Sequence, residues 1–163
     1  MRKKDPDPVM QKYIETLEEG YFFYIREGLN LAKIELKKIY DEKILEIRDN
    51  RDKKQYEIKN IKKRSIKTLV GVIEIDCYCY YDKIKKQHTF LFFDEIAAIG
   101  TYIKGMTDSL VEKIIDLNIT KNQSYGDVAR LLNNMGMPMT RQNVKNIVDK
   151  YKKHTGSVEL DTE

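Results

Sequence analysis

Two short amphipathic segments joined by a Gly-Pro punctuated turn constrain this chain more than anything else in it. Ser124-Tyr-Gly-Asp-Val-Ala-Arg-Leu-Leu-Asn-Asn is followed by Met-Gly-Met-Pro-Met and then by Thr140-Arg-Gln-Asn-Val-Lys-Asn-Ile-Val-Asp-Lys-Tyr-Lys-Lys153. Ser124 can cap the first helix, with Asp127 in its first turn near the positive helix end. Val128, Leu131 and Leu132 then share one face, and Ala129 beside them allows a close helix crossing. Gly136 suits the left-handed residue that ends a helix, Pro138 blocks continuation, and Thr140 caps the next helix.

In the second helix Val144, Ile147, Val148 and Tyr151 form the inward stripe. The opposite face carries Gln142, Asn146, Asp149 and Lys153, flanked by Arg141, Lys145 and Lys150. Between Thr140 and His154 there are five Lys or Arg against one Asp, an excess of +4 that equals the formal net charge of the whole chain. A basic, amide-rich helix after a tight turn has the layout of a helix-turn-helix, which places one helix in a DNA major groove. Arg141, Gln142, Lys145 and Asn146 are the candidates for base edges, since Arg and Lys suit guanine, and Asn and Gln suit adenine. Asn143 lies in the same first turn and joins the candidate set. Thr140, Lys150, Lys152 and Lys153 are better placed for phosphates, which fix register without reading sequence. Thr107-Asp108-Ser109 offers caps for a third helix, with Leu110, Val111, Ile114, Ile115 and Leu117 as its buried face. The competing account of the pair is an ordinary amphipathic hairpin whose polar side is only solvated.

Charge distribution points the same way. Residues 51–70 hold eight Lys or Arg against two Asp or Glu, whereas residues 1–50 and 71–107 are close to balanced. Lys62, Lys63 and Arg64 in that basic block extend the candidate footprint for a polyanion. The alternative for residues 51–64 is a solvated connector. No apolar run reaches the roughly 18 residues of a membrane span, and Met-Arg-Lys-Lys-Asp-Pro-Asp-Pro has the basic start of a signal peptide with no apolar core behind it. The expectation is a cytoplasmic, nucleoid-associated protein with no membrane partner.

The rest of the pattern predicts an α+β chain: a long N-terminal helical arm (1–54), a three-stranded antiparallel β-meander (55–100), a helix-turn-helix bundle (101–155) and a disordered acidic tail (156–163). Asp7 and Pro8 open the arm as cap and first helical residue. Val9, Tyr13, Leu17, Tyr21, Tyr24 and Ile25 form a stripe, and Leu29, Ala32, Leu36 and Ile39 continue it at heptad-like spacing. Gly20 and Gly28 weaken this helix, leaving one rod or two helices with a bend. The cluster Tyr21, Phe22, Phe23 and Tyr24 suggests packing against its own domain or a sister chain, so a homodimer through the N-terminal helix is a further expected partner. Arg64–Gly71 and Val72–Tyr81 read as strands joined at Gly71, with Ile73, Ile75, Cys77, Cys79 and Tyr81 on one face and Glu74, Asp76, Tyr78 and Tyr80 opposite. His88–Phe93 reads as the third strand, with Asp94 capping a short helix from Glu95.

Sites for chemistry are weak by comparison. Cys77-Tyr-Cys79 has the wrong spacing for two ligands of one zinc ion, since residues two apart on a strand lie roughly 6–7 Å apart. Buried strand thiols are the better account. Asp76, Asp82, Asp94 and Glu95 fall on different faces or in turns rather than converging on a two-metal site. No catalytic residues, no metal and no cofactor are expected. The eleven tyrosines could stack bases of a single strand, but with no tryptophan present they also serve as large core residues.

Lys63-Arg-Ser-Ile-Lys-Thr-Leu-Val-Gly71, the strand ending Tyr80-Tyr-Asp82, the step Phe92-Phe-Asp-Glu-Ile96 and Ser124-Tyr-Gly-Asp-Val-Ala-Arg-Leu-Leu132 occur in that order. Together, over about residues 55–155, they resemble the N-terminal part of the ISLre-type insertion-sequence transposases. The resemblance implies binding of an element's DNA ends, ahead of a metal-dependent DDE-type catalytic domain whose carboxylates have no counterpart positions up to Glu163. It further implies a regulator or inhibitor of transposition, a separately encoded subunit or a remnant. This sequence departs from the pattern at Cys77-Tyr78-Cys79, where a basic pair is usual, and at Val70, where an aromatic is usual. The alternative function is a protein-protein interaction or dimerisation module without DNA binding.

Overall fold

A stripe that changes sides organises the N-terminal third. The computed structural model describes residues 7–96 and 98–156; the expectations for Met1–Pro6, for the Phe22 side chain and for the tail beyond Gly156 lie outside what is described. Helix α1 (Pro8–Glu19) starts where Asp7 accepts from the Val9 and Met10 amides at 2.9 and 3.3 Å. Gly20 then interrupts it: its amide donates to Thr16 O, closing α1, and its carbonyl accepts from the Tyr24 amide, opening α2 (Tyr21–Asn50). A side chain at Gly20 would meet the Tyr24 ring at 2.9 Å. Gly28, the other suspected break, sits inside α2. At 30 residues, α2 is about 45 Å long.

Only the C-terminal half of α2 is packed. Tyr40, Ile44 and Ile47 are buried and Leu36 is half-buried, whereas the expected continuation Ala32 and Ile39 is exposed. The arm therefore carries two stripes on different faces rather than one.

The meander is present, with different bounds. Strand β1 (Tyr56–Thr68) pairs antiparallel with β2 (Gly71–Asp82), which pairs with β3 (Gln87–Thr89). The basic stretch 56–64 is thus strand, not connector, and it pairs right back to Tyr56↔Asp82. A bulge at Lys59 shifts the register between Ile58 and Asn60, and bulges increase strand twist. Beyond it the burial pattern of β2 changes: Ile73, Ile75, Cys77 and Cys79 are buried as expected, but Tyr80 is buried where Tyr81 was expected. The end of α2 covers this region, with Arg48 donating to the Tyr78 hydroxyl at 3.0 Å and Arg51 lying 5.8 Å from the Tyr80 ring centre. The third strand is shorter than expected, because Leu91–Glu95 forms helix α3 instead. Leu91 and Phe92 are both buried, which a strand's two-residue alternation would not allow against a single core. Asp94 lies inside α3 and accepts from the Thr89 hydroxyl at 2.8 Å; it is not a cap.

Away from β2, the other edge of β1 is stitched at one place only among the described residues. The Lys67 amide donates to Gly105 O and Lys67 O accepts from the Thr107 amide, at 2.9 and 3.0 Å. From Glu57 to Ser65 that edge pairs with no other strand among the described residues.

Three further helices close the chain: α4 (Asp108–Ile115), α5 (Tyr125–Asn134) and α6 (Arg141–Thr155). Thr107 caps α4, which runs on into a π-helical turn, Asp116–Thr120, with Leu117 buried. Leu110, Val111, Ile114, Val128, Leu132, Val144, Ile147 and Val148 make one core with Met137 and Met139. A second core joins Tyr40, Ile44 and Ile47 to the hairpin and to Phe92. The chain is a mixed α+β structure with six α-helices and a three-stranded antiparallel sheet among the described residues.

Candidate nucleic-acid interface

The start of α6 is fixed by its own sequence. Thr140 Oγ1 accepts from the Asn143 amide at 3.1 Å, and Asn143 Oδ1 accepts from the Thr140 amide at 3.2 Å, a reciprocal capping box. The Thr140 hydroxyl also donates to Asn143 Oδ1. Thr140 and the Asn143 carbonyl are therefore spent on the helix start, which leaves the Asn143 amide nitrogen for anything outside. Asn143, expected as a DNA contact, is a structural residue first.

Upstream, the turn is set by Asn133. Its Nδ2 donates to Ala129 O at 2.7 Å and to Met139 O at 2.6 Å, while its Oδ1 accepts from the Met139 amide at 3.3 Å. Gly136 takes the left-handed conformation at φ 87°. Met137 and Met139 on either side of Pro138 point into the core, so the turn is anchored by side chains as well as backbone.

With Val144, Ile147 and Val148 buried, the remaining faces of α6 are open. Arg141, Gln142, Lys145, Asn146, Lys150 and Lys153 are exposed and Lys152 is half-exposed. The Tyr151 ring lies tilted against Tyr102 at 5.0 Å, and Tyr102 also meets the His154 ring edge-on at 5.2 Å. Gln142 Nε2 donates to Asn146 Oδ1 at 3.0 Å. That bond leaves Gln142 Oε1 as an acceptor and Asn146 Nδ2 as a donor, one turn apart on one face. Lys145 is 3.3 Å from Asp149, an exposed pair that solvent screens. The Arg141 side chain, at the first position of α6, is exposed.

The sheet reaches this helix through a loop. Ser65 and Lys67 of β1, Lys104 and Gly105 of the loop, and Asn143, Asn146 and Lys150 of α6 line one open cleft of about 280 Å³. A neighbouring cleft of about 440 Å³ is lined by Arg64, His88, Phe90, Phe93, Asp94 and again Lys104, with the Arg64 guanidinium 4.5 Å over the Phe90 ring. Of the three basic residues expected from β1, Arg64 lines the second cleft; Lys62 and Lys63 are exposed and line neither. Lys67 and Lys104 are the residues that the sequence reading passed over. Lys67 sat in a stretch read as strand, and Lys104 is a lone cation in a loop held beside α6 by the Lys67 backbone bonds and by the Tyr102 ring against Tyr151 and His154.

Other polar groups lie apart. Burial pushes the Asp82 carboxyl up, but hydrogen bonds from the Lys85 amide, Gln55 and the Ile84 amide outweigh this and hold it below its ordinary value. Burial raises the Cys77 thiol to about 11. Among the described residues no three His, Cys, Asp or Glu side chains are placed to hold one metal ion, and no helix is long and apolar enough to cross a membrane.

The architecture is thus that of an α+β chain whose last helix turns a polar, cationic side outward. The chain belongs to the uncharacterised protein family UPF0236, whose model matches residues 14–159. Comparison with curated proteins and with solved structures finds no match.

Proposed function

We propose that this protein binds double-stranded DNA, with α5 and α6 acting as a helix-turn-helix and α6 lying in the major groove. The observation that carries the reading is the division of α6. Val144, Ile147 and Val148 are buried in the core and Tyr151 is partly buried against it, while Arg141, Gln142, Lys145 and Asn146 stay open. The bonded Gln142–Asn146 pair presents an acceptor and a donor together, the combination that matches the N6 and N7 edge of adenine. Lys150, Lys67 and Lys104 around the adjoining cleft are placed for phosphates of the flanking backbone, as are Lys152 and Lys153 along the helix. The resemblance to ISLre-type transposases supports element ends as the DNA, and a regulator of transposition as the role. On this reading the protein is a binder, not an enzyme.

The exposed apolar arm favours a second reading, an interaction module whose cationic side is incidental. Salt separates the two. Binding through about six phosphates falls roughly a thousandfold between about 50 and 200 mM salt. A titration of the protein against a random-sequence duplex pool, followed by selection at low salt, should give that slope and an enriched motif. No binding to any duplex at 50 mM salt rejects the DNA reading.

A further inference from the structure

We propose that residues 10–31 of two copies pair in parallel as a short two-stranded coiled coil. Met10, Ile14, Leu17, Tyr21, Tyr24 and Leu31 repeat at spacings of four, three, four, three and seven, the d and a positions of heptads, with Gly28 at the intervening a position. All six are exposed, from 44% to 65%. Gly20 itself stays in the right-handed region at φ −77° and ψ −7°, ending α1 on Thr16 O and opening α2 with its own carbonyl, so the two helices follow each other with one residue between them.

In the same heptad frame Leu36, Tyr40, Ile44 and Ile47, which pack on the chain's own domain, fall at b, f, c and f, the side away from the seam. At Glu35 and Lys38 the a and d positions turn charged, so the apolar seam stops where the domain begins. The helix uses one face for its own core and leaves the other open.

The area fits a second copy. Six half-exposed large side chains offer roughly 600–700 Å², above the ~300–600 Å² of the largest apolar patches on ordinary monomers. Adding exposed Tyr13, Ile25 and Ile34 on the flanks brings it to the ~800 Å² per partner of a stable interface. Charge allows the parallel arrangement. The flanking g and e positions would meet as Tyr13 with Glu18, Gly20 with Ile25, and Glu27 with Ala32, none of them a like-charged pair. This inference does not depend on the DNA reading, because the surface lies on other residues and is measured without DNA.

Light scattering coupled to size exclusion, on the full chain at about 50 μM without DNA, should give twice the monomer mass. The double variant Leu17→Glu, Tyr24→Glu should be monomeric. Phe23→Glu, at an equally exposed c position off the seam, should remain dimeric. Both variants alter exposed positions, and circular dichroism should show their helix content unchanged. Leu17→Cys should form an interchain disulfide on mild oxidation, since d positions face each other in a parallel pair. A monomer in the unmodified protein overturns the proposal. So does a dimer that survives the double variant, or a Leu17→Cys dimer that does not cross-link.

Discussion

Asn133 holds Met139 by both backbone groups, donating to its carbonyl at 2.6 Å and accepting from its amide at 3.3 Å. One side-chain amide therefore does across the α5–α6 turn what a neighbouring strand does in a sheet. The same nitrogen reaches Ala129 O, tying the last turn of α5 into the clamp. The angle between the two helices rests on this residue together with Met137 and Met139 in the core.

Replacing Asn133 with Ala leaves the Met139 amide and carbonyl without these partners. The expected cost is about 1–3 kcal/mol, a fall in Tm of roughly 2–10 °C for a chain of this size. Thermal melts followed by circular dichroism measure it. A variant as stable as the parent would mean that the Met side chains alone set the turn.

For the helix face, base and phosphate roles are separable. Gln142→Ala should relax preference at one base pair by about 1–3 kcal/mol while leaving the salt slope alone. Lys104→Ala or Lys67→Ala should weaken every sequence alike and reduce the salt slope by about one. Competition titrations with matched and mismatched duplexes read both effects. Identical behaviour of the Gln and Lys variants would remove the distinction between the helix face and the cleft rim.

Asp82 makes acid sensitivity local. Its hydrogen bonds hold the carboxyl below the unfolded value, so it adds stability above about pH 4 that is lost as the pH falls through the folded-state value. Urea titrations between pH 2 and 6 should show the parent rising more steeply with pH than Asp82→Asn, with the two converging at the acid end. Parallel curves would show that the β2–β3 turn does not depend on the charge.

Cys77 should be nearly inert. With its thiol raised to about 11, only about 0.1% is thiolate at pH 8, and the thiolate is the reactive form. Alkylation followed by mass spectrometry should modify it rapidly only in denaturant. Fast labelling of the native protein at pH 8 would mean that the hairpin opens or that the thiol is less buried than its place on β2 gives.

How much of this was legible beforehand follows from how local each determinant is. The caps at Asp7, Thr107, Ser124 and Thr140, and the inward stripe Val144, Ile147 and Val148, are set by neighbours three or four residues away, and the sequence displays them. The length of β1 was hidden because a lysine-rich edge strand has few apolar residues to alternate; Tyr56, Ile58 and Ile61 are all it offers before Ile66. The run Thr89–Phe93 suits strand or helix equally, and the decision lies with Tyr40, whose ring meets Phe92 at 5.7 Å from far up the chain. Two stripes on α2 merged into one reading because Leu29, half-buried on the domain side, and Leu31, exposed on the other, lie only two residues apart. Lys104 is placed by contacts distant in sequence, the Lys67 backbone bonds and the packing of Tyr102 on α6. Asn143 was legible as part of a polar face, but not as the acceptor that closes a capping box.

The open edge of β1 is exposed to other chains as well as to solvent. Between Glu57 and Ser65 its outward backbone groups are a template on which another chain could add a strand and begin a fibril, and Lys59, Lys62, Lys63 and Arg64 stand along that stretch. Two such edges brought together bring their cations together, which opposes stacking. A polyanion laid over this rim would quench the repulsion, so polyphosphate or heparin should speed aggregation of partly unfolded protein even where neither touches α6.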